Sequence, residues 1–545
     1  MNNPNISRLV LLKTSLENDY KNTIWFGEPD GDNTKTNQTN YFLSKKFGGF
    51  DFTNLTYIRK DHSVKIPAHY DSVVGANYVM YQNNPNYNAN NLNQDKWYYA
   101  FVVDIKYISE GVTELVLETD VIQTWYFAYK VQPSFVEREH VSDDTIGANT
   151  YPEVVELGEY VCNKHELDSN LNDVNADLCY VVGSTSTPES GEAKDTPSGS
   201  DIYNGIYSGV KYYRYDKESP IDILLEIFAK SGKTDAITGI FMAPKVLAPL
   251  KEGATFREVA TSYSPVTYHT LIDRPNKIDN YAPRNNKLLT YPYSYLLVSN
   301  NNGNASIYKY ERFSGEKCRF SISCCLTPGC SVRLTPSSYN GISQNDEEGL
   351  NLGKYPICNY TSDMYTNWLT QNSVNIANDI GMAGAQIVGG IGMIATGGGA
   401  IMGAAGVASG IGQIGSVLGQ IHQQSHVPPQ ARGNINCGDV ITSMSRNTFH
   451  YYDMSIKSEY AKIIDNYFDM FGYKVCRLKE PNKNHRARYW YTKTIDCNVD
   501  GGVPQKDLQK IKDAYNNGIT FWRFEGDIGI YKDTSGYNRI SNIYG

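Results

Sequence analysis

The residues able to do chemistry are thinly spread along this chain. Ten cysteines stand at positions 162, 179, 318, 324, 325, 330, 358, 437, 476 and 497, with no C-x-x-C pair and no histidine at zinc-ligand spacing. Only Cys318, Cys324, Cys325 and Cys330 lie close together. The run Phe320-Ser-Ile-Ser-Cys-Cys-Leu that carries two of them reads as a strand, so they are expected to be buried free thiols and not metal ligands. There is no G-x-S-x-G, no H-E-x-x-H and no Walker A sequence, and carboxylates such as Glu137 and Glu139 stand in no catalytic pattern. Gly410-Ile-Gly412-Gln-Ile-Gly415 is a literal dinucleotide fingerprint. No strand precedes it, however, and Val427-Pro-Pro-Gln follows where a second strand should form. No cofactor and no metal are expected, and the chain does not read as an enzyme.

What is concentrated is the absence of charge. From Ile380 to Ala431 there is no Asp, Glu, Lys or Arg across 52 residues, and 14 of the 40 residues from Gly381 to Gln420 are Gly. Gly397, Gly398 and Gly399 divide the stretch into two arms, each about 25 Å or more as a helix, against about 30 Å of bilayer hydrocarbon. The apolar content of the first arm comes from Ile380, Ile387, Val388, Ile391 and Ile394. In the second it comes from Ile401, Ile411, Ile414, Val417, Leu418 and Ile421. Each interior glycine costs a lone helix in water about 1 kcal/mol, yet glycine permits close backbone approach. Three pairs have the small-xxx-small spacing that packs helices in lipid: Gly399 with Gly403, Gly406 with Gly410, and Gly415 with Gly419. These residues are the candidates for a loop that enters a membrane. The competing reading is a glycine-rich hairpin buried in the fold or sealed in an oligomer, and both can hold in turn if the loop is stowed and then released. His422 and His426 flank the loop and, titrating near about pH 6, are candidate pH-responsive groups, or simply solvated.

The elements around this loop read as mainly β with added helices. Tyrosine (43 residues) suits pleated half-buried surfaces, while Gly (46) and the Asn clusters at 83–86 and 300–302 suit turns. Leu9–Lys13 and Thr23–Phe26 are short apolar strands, and a hairpin is predicted from Trp97–Ile108 and Thr113–Ile122 around Ser109-Glu-Gly111. The first 160 residues are read as strands and turns throughout. Residues 183–200 read as a long loop, Ile221–Ser231 as a helix, and Leu288–Val298 and Ala305–Phe313 as strands. Further helices are expected over 361–380, over Ser455–Phe471 with a stop at Gly472, and from Pro504 to Gly518. A strand from Ile519 closes the pattern. The segments are 1–160, 161–284, 285–360, 361–455 and 456–545: a β domain, a loop-rich insertion, a second β segment, the helix with the apolar loop, and an α+β end.

A net charge of -8 without a basic block argues against a protein that grips nucleic acid through its phosphates. The four apolar residues Leu9–Leu12 are too few for a signal-peptide core, so export is not expected and the sequons at Asn37, Asn54 and Asn359 carry no glycosylation meaning.

Several long motifs in order resemble one family. They are Leu9-Val-Leu-Leu-Lys-Thr-Ser-Leu-Glu-Asn-Asp-Tyr-Lys-Asn-Thr-Ile-Trp-Phe26, Gln38-Thr-Asn-Tyr-Phe42, Leu117-Glu-Thr-Asp-Val-Ile-Gln-Thr-Trp125 and Pro133-Ser-Phe-Val-Glu-Arg-Glu-His140. Lys287-Leu-Leu-Thr-Tyr-Pro-Tyr-Ser-Tyr-Leu-Leu-Val-Ser-Asn-Asn301, Tyr467–Val475 and Lys493-Thr-Ile-Asp-Cys497 follow. The chain thereby resembles the distal tail tube, or tail knob, proteins of short-tailed phages of the Salasvirus type. The resemblance implies tube-like β-barrel domains and six copies in a ring around a bore. It further implies long apolar loops that plug the bore and later open a pore in the host cytoplasmic membrane. The implied partners are further copies of the chain, other tail proteins (proximal tube and tail tip), host membrane lipids, and DNA in transit without sequence specificity. Two other readings are a tail adsorption protein that binds a receptor or wall glycan, and a wall-degrading enzyme. The first lacks stalk or repeat sequence, and the second lacks a carboxylate pair or metal site.

Overall fold

A computed structural model describes residues 7–355, apart from short stretches such as 28–33, 84–95, 172–177, 196–201, 260–265 and 341–348, and residues 447–531 apart from 484–485. The chain divides into two compact units, each drawn from separated stretches. The first takes residues 1–158, 280–290 and 457–545, and the second takes 159–279 and 291–456.

In the first unit, the run Leu9-Val-Leu-Leu12 has no polar face, so it must be covered on both sides. It lies in the strand Ser7–Leu12 inside a six-stranded sheet, flanked by Lys46–Leu55 and Tyr78–Asn83, with Tyr98–Ser109, Val112–Thr119 and Ser63–Ile66 beyond. Leu9 and Leu11 pack with Ile66, Leu115 and Leu117, while Val10 and Leu12 pack on the other side with Phe42, Tyr78, Tyr99 and Trp522. Val112–Thr119 alternates half-buried and buried residues, as one covered face requires, and pairs with Tyr98–Ser109 as the predicted hairpin. A second sheet orders Asn22–Ile24, Ile519–Trp522, Tyr489–Asp496, Ser134–Glu139 and Tyr473–Lys479.

The helix Ser458–Phe471 buries Ala461, Ile464 and Phe468 and ends at Gly472. There φ is +63° and a Cβ would collide with the Glu139 carbonyl, so glycine is required. Asp465 on this helix is fully buried. Its carboxylate accepts from Tyr281 Oη (2.6 Å), Arg284 N (2.9 Å) and Asn285 Nδ2 (2.7 Å), which fastens residues 281–285 to this helix within the first unit.

The second unit is built on three sheets. One orders Tyr160–Leu167, His450–Ile456, Ser294–Ser299 and Ala305–Tyr308; another orders Lys211–Tyr215, Leu178–Ser184 and Ile237–Pro244; the third orders Val266–Asp273, Lys317–Cys325, Ser331–Ser337 and Leu350–Asn351. All three feed one core. On Lys317–Cys325 the inward set is Cys318, Phe320, Ile322 and Cys324, and Val332 and Leu334 continue it on the neighbouring strand. Cys318, Cys324 and Cys330 are buried, reduced thiols, and burial pushes Cys318 up to about 12.

The mainly β reading is borne out, and so are the helices Ser219–Lys230 and Gln505–Asn517. Several local readings are corrected. Thr34–Ser44 is a helix, although its apolar content is slight, because Phe42 packs against Tyr78 at 5.4 Å and Tyr99 at 4.5 Å between ring centroids and the buried Gln38 Nε2 donates to Gln123 O at 2.9 Å. Val121–Thr124 is a helical turn instead of the end of a strand, since Asp120 accepts from Gln123 N at 3.0 Å as its cap. Within the expected loop 183–200, the strands Ser186–Glu189 and Glu192–Asp195 form a hairpin. Leu288 and Leu289 belong to a 3₁₀ turn, with the strand beginning only at Ser294, and Ala305–Tyr308 gives way to a 3₁₀ turn at Tyr310–Arg312. Ser455 and Ile456 belong to a strand, so the helix starts at Ser458. The helix expected over 361–380 lies outside the described residues, among which no helix is long and apolar enough to cross a membrane.

Asp120 also accepts from Tyr78 Oη at 2.8 Å, yet burial lifts its carboxyl to about 6, against the opposing pull of these hydrogen bonds. Its folded value lies above its unfolded one, so ionisation favours the unfolded chain. The penalty is absent below about pH 4 and complete above about pH 6, reaching about 3 kcal/mol. Asp120→Asn should therefore gain stability relative to the parent by about this amount between pH 4 and pH 8, read from urea midpoints at the two pH values.

Candidate functional site

The residues singled out in the sequence, Ile380 through Ile421 together with His422 and His426, lie outside the described residues. That holds for the apolar side chains and equally for the glycines proposed to pack helices, Gly399, Gly403, Gly406, Gly410, Gly415 and Gly419. What the structure does place is the pair of roots from which that stretch departs and to which it returns. Both belong to the second unit.

The departing root follows the short strand Leu350–Asn351, held to Ser331–Ser337 by the pairing Leu334↔Leu350 and by Leu352 N donating to Val332 O at 2.9 Å. Tyr355 is 1% exposed and packs in the core with Cys324, Cys330 and Phe449. The returning root is Asn447, Thr448 and Phe449, all buried, which lead into the strand His450–Ile456. Tyr355 Oη donates to the Asn447 carbonyl at 2.8 Å, so the two roots are tied directly.

Beneath this tie sits Asp168, which is fully buried. Its backbone N–H donates to Phe449 O at 3.0 Å. Its carboxylate accepts from Tyr268 Oη at 2.8 Å, Thr270 Oγ1 at 2.5 Å and Tyr451 Oη at 3.3 Å. Burial first, and then the charge of Asp168, push the Tyr268 and Tyr451 phenols well above their ordinary value; burial does the same for Tyr355. All three remain protonated donors at any physiological pH. A buried carboxylate is tolerated only when its lone pairs are filled, and three hydroxyls and the Asn170 N–H (3.1 Å) fill them here. Buried and fully engaged, Asp168 is a structural anchor.

Two further features lie nearby. His165 Nε2 and His450 Nδ1 are 3.0 Å apart, and the Tyr452 ring lies parallel to that of His165, with centroids 4.5 Å apart. The outward face of the sheet containing Lys317–Cys325 carries an open cleft of about 550 Å³ lined by His269, Ser321, Ser323, Arg333, Thr335 and Ser337. Among the described residues no group of three or more His, Cys, Asp or Glu could hold a metal ion. The sequence reading missed Asp168, Tyr355 and Asn447. The one available signal was the dense run Phe449-His-Tyr-Tyr452, which resumes strand-like sequence where the long loop must end.

The described residues thus form a mainly β scaffold whose two roots meet at one anchored point, and the comparisons give its class. Residues 6–130 match the N-terminus of the caudoviral major tail protein. Residues 255–536, more than half of the chain, match the C-terminal domain of tail knob protein gp9 of Bacillus phage phi29, and the chain belongs to that family of phage tail knob proteins. It is similar over its length to the tail knob protein gp9 of Bacillus phage PZA, at 27% identity over 96% of this chain and 97% of that protein. The corresponding figures are 26%, 96% and 97% for gp9 of phage phi29, and 24%, 96% and 97% for gp9 of phage B103. The tail knob protein gp12 of bacteriophage C1 shares the fold, with a TM-score of 0.59 at 12% identity over 98% of this chain and 99% of that one. The chain is thus a structural component of the virion tail.

Removing the Tyr355 hydroxyl with Tyr355→Phe leaves the buried Asn447 carbonyl without this donor and should cost about 1–2 kcal/mol. Asp168→Ala strips three hydroxyls of their acceptor and should cost more, about 3 kcal/mol or above. Urea midpoints of the two variants check the order; equal losses would mean that Asp168 is not the principal anchor.

Proposed function

We propose that the chain forms a hollow hexameric tube at the distal end of the tail, with barrel-like β domains around a bore. The apolar loop plugs the bore, then leaves it and penetrates the host cytoplasmic membrane during genome ejection. The observation that carries this reading is the uncharged run from 380 to 431, whose flanks converge on the Tyr355–Asn447 tie in a tail knob protein. A loop fastened at both ends can change its surroundings without detaching from its scaffold. Six such loops on one ring act at high local concentration, so insertions that are individually marginal add together. Once inserted, the arms would pack through Gly399 and Gly403, Gly406 and Gly410, and Gly415 and Gly419. DNA passes the bore unread, in keeping with a net charge of -8 and no basic block. Neighbouring contacts are with the proximal tube and the tail tip. The competing role, adsorption to a receptor or wall glycan, would use the hydroxyl-lined cleft of the second unit, whose residues are independent of the loop.

Deleting residues 381–421 separates the parts of this proposal. The deletion variant should still give hollow six-fold rings by electron microscopy but should no longer release dye from lipid vesicles. Loss of rings would favour the buried-hairpin reading of the loop, and solid particles from the parent chain would remove the tube altogether.

Gly406→Leu tests how the loop acts once inserted. It raises hydrophobicity while blocking close approach between helices. Membrane binding should rise and dye release should fall. If release rises with binding, insertion alone accounts for the activity and the small-xxx-small packing has no role.

A further inference from the structure

Two thiols of the second unit meet inside its core. Cys324 stands on the strand Lys317–Cys325, paired opposite Val332, and Cys330 lies just ahead of the neighbouring strand Ser331–Ser337. Their Sγ atoms are 3.2 Å apart, about 1.2 Å beyond a covalent S–S bond. Both residues are buried, Cys324 at 2% exposed and Cys330 at 0%. Cys330 also holds φ at +34°, in the left-handed region that side chains rarely adopt and glycine adopts freely. The chain thus keeps a cysteine where backbone sterics favour glycine, and that cysteine sets its sulfur against a second one.

We propose that Cys324 and Cys330 are a dithiol that closes into a disulfide once the virion has left the host cytoplasm. A component of the virion tail is assembled among cytosolic reductants and then carried outside the cell, where disulfides persist. Burial restricts the oxidant to one about as small as water, and hydrogen peroxide meets that limit. One sulfur attacks peroxide as the thiolate, the O–O bond breaks, and the leaving hydroxide takes the thiol's proton to become water. The second sulfur then attacks the sulfenic acid so formed, and its proton departs with the hydroxyl as a second water. Two thiols and one peroxide give one disulfide and two waters, with two electrons passing from sulfur to peroxide.

Position gives the bond its consequence. It would join the two antiparallel strands covalently at one end, and the second of them pairs Leu334 with Leu350 on the departing root. Tyr355 packs in the same core as both sulfurs. The root would therefore be held by reversible contacts during assembly and by a cross-linked strand pair in the released particle.

Trypsin cuts after Arg319 and Arg333, so one peptide, 320–333, carries Cys324, Cys325 and Cys330. The full chain, purified under reductant and freed of it, is treated with hydrogen peroxide, unfolded in iodoacetamide and digested. Peptide 320–333 should take up one alkyl group, on Cys325, in place of three, and dithiothreitol before alkylation should restore all three. Virions collected from the medium should give the same single-alkyl peptide, whereas chains alkylated inside infected cells should give three. Three alkyl groups on the peptide from peroxide-treated chain or from released virions, or a link that uses Cys325, overturns the proposal. No substitution is needed, so the result does not depend on a variant that folds.

Discussion

Tyr355 and Asn447 are 92 positions apart and are joined by one hydrogen bond. Everything proposed for the loop depends on this closure. Bringing together chain ends at that separation costs about 4 kcal/mol in loop entropy, a cost that grows only slowly with length. No single hydrogen bond meets it, because its net worth is about 1 kcal/mol. The closure is held by what surrounds it: the pairing of Leu350 with Leu334, the burial of Tyr355, Phe449 and Tyr451 in one core, and the hydroxyls on Asp168. The slow growth of the entropy term also means that the excursion can vary in length at small thermodynamic cost, provided the roots stay where they are.

The fold was legible where a local pattern and the tertiary environment agree. Leu9–Leu12 reads as a strand without a polar face and is one; Val112–Thr119 alternates and is covered on one side. Gly472 and Gly518 stop helices because both positions need positive φ. Legibility failed where a single contact outweighs the pattern. Val121 and Ile122 are β-branched and read as strand, yet the Asp120 side chain caps a turn there. Thr34–Ser44 has almost no apolar stripe, and its helix is held by distant contacts such as Phe42 with Tyr78 and Tyr99.

The candidate site divides along the same line. Absence of charge over 52 residues is a one-dimensional property and can be read directly. The anchor is not one-dimensional. Asp168 gathers donors from Val266–Asp273 and His450–Ile456, about 100 and 283 positions distant, and none of these residues stands out in its own neighbourhood. A buried aspartate with three hydroxyl donors is indistinguishable in sequence from a surface aspartate in a turn.

The interleaving of the two units bears on the order in which the polypeptide can mature as it leaves the ribosome. The second unit is finished once Ile456 has been synthesised, whereas the first unit, begun at residue 1, still awaits residues 457–545. Asn22–Ile24 finds its parallel neighbour in Ile519–Trp522, the last strand to be made among the described residues. Until the strands of 457–545 are made, the second sheet of the first unit leaves Asn22–Ile24 and Ser134–Glu139 without their partners, which is an aggregation hazard. The unit that fastens the apolar loop is therefore the one able to close first.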